Sequence, residues 1–249
     1  MLGAPTIPLT RNMKTSTNDN LAVLIDADNA QASPIHELLE EVSRYGTASV
    51  KRAYGDWSTP QLRKWKEELH THAIKPVQQF SYTKGKNATD SALIIDAMDL
   101  LHSGDLNGFC LVSSDSDFTP LATRIRESGL VVYGFGERKT PQPFVAACDK
   151  FIYTDILNPA DKKGTQGKQQ FPSPKKKLVE AVDKATGDDG WANLGTVGSL
   201  LVKNDPSFDP RNYGFKKLVE LVNDQPYLEV RKERAGSGSG GAHIYVRLK

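Results

Sequence analysis

Cysteine is nearly missing from this 249-residue chain. Cys110 and Cys148 both stand among apolar neighbours, the usual setting of buried free thiols, which excludes a disulfide framework and a cysteine-rich zinc site. The five histidines are scattered without HExxH or paired-ligand spacing, and this argues against a histidine-based metal centre. No apolar run approaches the roughly 18 residues of a membrane helix, and the N-terminus lacks the apolar core and cleavage site of a signal peptide. The expectation is a cytoplasmic protein with no membrane partner. A large net charge is missing too, at +2, while 38% apolar and 25% charged residues support one or two globular domains.

That balance hides an uneven distribution. Residues 1–160 carry 16 basic and 19 acidic residues, residues 161–177 carry six lysines against Asp161 alone, and residues 178–249 carry ten of each. A basic connector between two nearly neutral bodies fits a polyanionic partner or a solvated spacer. Residues 1–20, rich in Thr, Asn, Pro and Ser without periodicity, read as a flexible tail. From Leu21-Ala-Val-Leu-Ile25 onward, short apolar runs alternate with helical stripes. Strands are expected near 21–25, 48–54, 74–78, 109–112, 130–134 and 151–153, and helices from Ser33-Pro34 and near 59–72, 89–103, 120–128 and 142–148. This predicts an α/β domain over residues 21–157, a parallel sheet with helices on both faces and its site at the C-terminal strand ends. Residues 158–174, rich in Gly, Gln, Lys and Pro, read as the linker. Residues 175–249 show three helical stripes and two strand-like segments joined by the Gly/Ser-rich stretch 235–242, the pattern of a winged helix.

Four aspartates follow strands in pairs: Asp26 and Asp28 in Asp26-Ala-Asp28-Asn29, and Asp115 and Asp117 in Ser113-Ser114-Asp115-Ser-Asp117. Asp-x-Asp at such a place also suits a helix N-cap. Ser33-Pro34 and Thr119-Pro120 offer their own start signals, so the expectation is that the aspartates are spare. On a helix turning about 100° per residue, Asp90 lies within roughly 60° of Leu93, Ile94, Ala97 and Leu101. It therefore points toward the sheet, unless it closes a capping box with Asn87, whereas Asp96 and Asp99 are expected to face solvent. Clustered carboxylates without Cys or His form a hard oxygen site suited to Mg²⁺ or Mn²⁺, as metal-assisted nucleases use. Lys84, Lys86, Arg138 and Lys139 are candidate phosphate contacts, and Tyr82 and Trp57 candidate base-stacking residues. In the C-terminal module Arg211, Asn212, Lys216 and Lys217 are candidates for substrate capture, with protein docking as the alternative.

Leu21-Ala-Val-Leu-Ile-Asp26-Ala-Asp28-Asn29, Lys84-Gly-Lys-Asn-Ala-Thr-Asp90 with Ile95-Asp96-Ala97, and Leu111-Val-Ser-Ser-Asp115-Ser-Asp117-Phe118 together resemble the NYN domain, the LabA-like branch of the PIN-like nucleases. The resemblance implies a metal-dependent, endonucleolytic ribonuclease with Asp26, Asp90, Asp115 and Asp117 around a Mg²⁺ or Mn²⁺ ion, and RNA as substrate. Asp28, Asn29 and Ser114 are additional site candidates. Residues 175–249 are similar to the LOTUS or OST-HTH domain, a winged-helix module implicated in RNA binding. Two alternatives stay open: a non-catalytic RNA-binding adaptor, and an aspartate-nucleophile phosphatase of the haloacid dehalogenase type. The second is disfavoured by Asn29-Ala30 after Asp28, where Gly-Thr or a similar pair is expected.

Overall fold

The computed structural model describes residues 19–80, 88–157, 173–233 and 243–249. The first domain runs β1 (Asn20–Asp26), α1 (Ile35–Val42), β2 (Thr47–Gly55), α2 (Arg63–Thr71), β3 (Lys75–Gln78), α3 (Ala88–Ser103), β4 (Gly108–Val112), α4 (Thr119–Glu127), β5 (Val131–Gly136), α5 (Gln142–Ala147) and β6 (Lys150–Tyr153). The six strands are all parallel, in the order β3-β2-β1-β4-β5-β6. The chain walks outward from β1 to β3, then returns through α3 to β4 on the other side of β1. With one hand of crossover, opposite walking directions put helices on opposite faces. Accordingly α1 and α2 pack Ile35, Leu38, Val42, Trp65 and Leu69 on one face, while α3, α4 and α5 pack Leu93, Ala97, Leu121, Ile125 and Phe144 on the other.

The period of two along β1 explains why its run is apolar throughout: Leu21, Val23 and Ile25 enter one core layer, and Ala22 and Leu24 the other. Gly134 in β5 matters for the same reason of space. A Cβ there would lie 2.4 Å from the Phe151 ring and 2.6 Å from the Cys148 sulfur, so a side chain would force β6 and α5 outward. The direction of the chain reverses between β1 and β4, which opens a crevice at their C-terminal ends.

The second domain contains α6 (Lys175–Ala185), β7 (Ala192–Asn193), α7 (Leu194–Asn204), α8 (Leu218–Asn223), β8 (Leu228–Glu233) and β9 (His243–Leu248), with an antiparallel sheet ordered β7-β9-β8. Leu178, Val182, Val197, Leu201, Leu221, Val222 and Val246 form its core. Three departures from the sequence expectations have local causes. The third stripe, expected from Tyr213, Phe215, Leu218, Val219 and Val222, is not one helix: a 3-10 turn at Pro210–Tyr213 ends on Gly214 at φ 88°, and α8 begins only at Leu218. Neither Ser33 nor Thr119 supplies a capping hydroxyl, since α1 starts at Ile35 and α4 at Thr119, both without a side-chain cap, and the Thr119 hydroxyl is buried without a partner. Finally, Lys175, Lys176 and Lys177 belong to α6, and Lys177 is paired with Asp205 at 2.6 Å.

Candidate metal centre and nucleic-acid interface

Asp26 is the last residue of β1 and fully buried. Its Oδ1 accepts from the Asn29 backbone N–H at 3.3 Å, and its Oδ2 accepts from Asn29 Nδ2 at 2.9 Å and Ser113 Oγ at 2.8 Å. Ser113, directly after β4, also accepts from the Asp115 backbone N–H at 3.1 Å. One hydroxyl thus ties the ends of the two central strands together. Burial pushes the Asp26 carboxyl above its ordinary range, against the lowering effect of the Asn29 and Ser113 hydrogen bonds.

Asp115 is where the spare-aspartate expectation needs correction. It is the N-cap of a 3-10 turn, Ser116–Phe118, and its Oδ1 accepts from the Asp117 backbone N–H at 2.9 Å. Capping and site membership coexist, because a carboxylate has a second oxygen to offer. Asp90, in the first turn of α3, is 9% exposed and reaches the same place from the helix layer that α3 shares with α4. Asp90, Asp115 and Asp117 each present an oxygen, and these atoms lie within 4.8 Å of one another. Burial first, then the charges of Asp26, Asp115, Asp117 and Asp28, push the Asp90 carboxyl up to about 6. An all-oxygen, multiply charged donor set at this spacing fits a hard divalent ion such as Mg²⁺ or Mn²⁺.

The remaining candidates of the first domain fall into five groups. Asp28 is exposed and accepts from Thr89 Oγ1 at 2.8 Å, which fastens the start of α3 to the loop after β1, while Asn29 spends its side chain on Asp26. Ser114 accepts from the Glu137 backbone N–H at 2.9 Å, so it orders the loop after β5. Lys84, Lys86, Tyr82 and Asn87 lie outside the described residues. On the rim beyond β5, Arg138 stacks over Tyr153 at 5.4 Å and donates to Asn212 Oδ1 at 3.4 Å, and Lys139 pairs with Glu137 at 3.0 Å. The Trp57 indole N–H donates to the Val77 carbonyl at 3.0 Å, so that ring is partly held within the domain.

In the second domain Lys216 and Lys217 are exposed, but Arg211 is turned into a bidentate pair with Glu41 and Asn212 is buried. Asp96 also departs from expectation: it accepts from the Tyr54 hydroxyl and the Arg52 guanidinium of β2, with Asp99 remaining exposed. Sequence reasoning missed Ser113 and Thr89, whose only signal was a hydroxyl beside an aspartate motif.

Comparison with known proteins finds two domain families along the chain. The NYN domain family matches residues 20–157, and the OST-HTH/LOTUS domain matches residues 170–239. Among curated proteins none matches the chain. A crystal structure of a protein of unknown function from Vibrio parahaemolyticus is 20% identical with a TM-score of 0.47, covering 57% of this chain and 96% of its own. The solution structure of an uncharacterized protein from Nitrosomonas europaea is 31% identical with a TM-score of 0.30, covering 35% of this chain and 83% of its own. A solution structure from Chromobacterium violaceum is 39% identical with a TM-score of 0.26, covering 34% and 87%. No described helix is long and apolar enough to cross a membrane. The six-stranded parallel sheet, the acidic cluster at its central strand ends and the matched span agree: the chain belongs to the NYN domain family and carries a C-terminal OST-HTH/LOTUS domain.

Proposed function

We propose that this protein is a Mg²⁺- or Mn²⁺-dependent endoribonuclease whose C-terminal domain helps to hold the RNA. The observation that carries the proposal is the convergence of Asp90, Asp115 and Asp117 oxygens within 4.8 Å, at the strand ends where a parallel sheet exposes its sites. When bound, a divalent ion there supplies activation of water and stabilisation of charge on a phosphodiester. The chain's own residues do the rest. Asp90, Asp115 and Asp117 are the ligand set, each able to give one oxygen. Asp26 adds negative charge from beneath and, through Ser113, fixes the backbone that carries Asp115. Thr89, bonded to Asp28, keeps the first turn of α3 and therefore Asp90 against β1. Arg138 and Lys139 on the rim and the exposed Lys216 and Lys217 are the candidate contacts to the phosphate backbone, which position without reading sequence.

An aspartate-nucleophile phosphatase would need an accessible carboxylate at the end of β1. Asp26 is fully buried with both oxygens hydrogen-bonded, which favours the nuclease reading. The test is cleavage of single-stranded and structured RNA by the full chain with Mg²⁺, with Mn²⁺ and with chelator, beside Asp90→Asn. Internal cuts that need the ion and Asp90 support the proposal. RNA binding without any cleavage by the unmodified chain would make it an adaptor.

A further inference from the structure

A second buried charge cluster lies away from the carboxylate site, between the two domains. Glu41, at the end of α1, is 3% exposed. Its Oε1 accepts from the Tyr45 hydroxyl at 2.6 Å and from Arg211 Nη2 at 2.9 Å, and its Oε2 accepts from Arg211 Nη1 at 2.9 Å. Arg211 comes from the second domain, where Nε and Nη2 also donate to the two oxygens of Asp209 at 2.9 and 2.7 Å. Lys150, on β6, sits 4.9 Å above the Tyr45 ring, and Tyr45 in turn stacks on Tyr133 at 4.5 Å. The backbone joins the contact as well: the Phe151 N–H on the outer edge of β6 donates to the Pro206 carbonyl at 2.8 Å. Above it, Asn212 accepts from Arg138 of the active-site rim.

Two features separate this contact from a chance collision of tethered modules. A carboxylate as deeply buried as Glu41 is tolerated only when its charge and lone pairs are met; Tyr45 and Arg44, 3.0 Å from Oε2, meet part of this from its own domain, and the bidentate half comes from a guanidinium of the other domain. The edge strand β6, which would otherwise present a free ladder of backbone groups, is capped by the same segment. We propose that the Glu41, Tyr45, Lys150 and Phe151 face of the NYN domain is a docking surface for the Asp205–Tyr213 segment of the same chain. The two domains are then one body in the RNA-free protein, with Arg211 and Asn212 as its latch and not as RNA contacts. The RNA path across the second domain is thereby confined to surfaces outside the latch, such as the side bearing Lys216 and Lys217. The inference does not depend on metal chemistry, and it is tested without RNA or divalent ions.

Full-length protein, Arg211→Gln, Glu41→Gln and the exposed control Lys203→Gln are compared by calorimetry and small-angle scattering. The unmodified chain and the control are expected to unfold in one cooperative transition at the same radius of gyration. Each latch variant should split that transition in two and enlarge the radius of gyration. Arg211→Gln also breaks the bonds to Asp209 within its own domain, so Glu41→Gln, whose change lies in the other domain, decides if Arg211→Gln fails to fold. Independent transitions already in the unmodified chain, or a Glu41→Gln protein with one transition and unchanged dimensions, would overturn the docking proposal while leaving the nuclease reading intact.

Discussion

Replacing Asp90 by Asn should stabilise the metal-free protein and remove its stabilisation by divalent ions. Asp90 is raised from 3.8 to about 6, so its ionised form is disfavoured in the folded state. At 1.36 kcal/mol per unit the shift is at most about 3 kcal/mol. Asp117 is exposed and the cluster opens to solvent, so screening cuts the penalty to roughly 1.5 kcal/mol. The α3 dipole favours a charge in the first turn by about 0.5 kcal/mol, which leaves Asn the better residue by roughly 1 kcal/mol. For a chain of this size that is a Tm higher by about 2–4 °C. The sign follows from proton binding. Between 3.8 and about 6 the folded state holds this proton more tightly, so stability from this group grows as pH falls through that window and the full penalty applies above it. With an ion at about 100 times its Kd the order reverses, because the unmodified protein gains about 2.7 kcal/mol and Asp90→Asn gains little. Thermal unfolding at pH 7.5 in chelator and then in Mg²⁺ or Mn²⁺ reads both effects. An Asp90→Asn protein that is less stable in chelator, or one that gains as much from the ion, would refute the reasoning.

Asp96→Asn should destabilise the fold by about 1–3 kcal/mol, because it weakens the bonds from buried Tyr54 and from Arg52, while exposed Asp99→Asn should be silent; urea denaturation of the pair tests this. The domain latch should loosen in acid. Burial tends to raise the Glu41 carboxyl, but the Arg211 and Tyr45 hydrogen bonds and the Arg211 and Arg44 charges outweigh it and hold it below 4.5. Its contribution, made beside Asp209 and Lys150, is therefore complete above the unfolded value and lost as pH falls through the folded one, measurable as domain separation in scattering between pH 6 and 3 at about 0.5-unit steps. Replacing Lys162, Lys163, Lys168, Lys175 and Lys176 by Gln should flatten the salt dependence of RNA affinity. Each single-strand phosphate released from contact changes the log–log slope by about 0.7, so three productive lysines give about 2, and an unchanged slope would mark the segment as a spacer.

How far each feature was legible depends on the range of the interaction that fixes it. The alternation of apolar runs and helical stripes is local, so the α/β domain, the parallel sheet and the second domain could be read from residues a few positions apart. The same holds for Asp90, whose side on α3 follows from helical geometry and agrees with its burial beside Leu93 and Ala97. Where helical angle was the only guide it failed for Asp96, since Tyr54 and Arg52 reach it from a strand more than forty residues earlier. Asp115 shows a subtler limit: local signals treated capping and ligation as rivals, whereas the turn uses one carboxylate oxygen and leaves the other. The pairing of Ser113 with Asp26 exists only because the sheet order sets β4 beside β1. Arg211 looked like a nucleic-acid contact in a basic, polar string, and only the packing of one domain on the other gave it Glu41. Periodicity fixes which face of an element is apolar, but the partners of a buried charge are chosen by tertiary contacts that bring distant segments within hydrogen-bond reach.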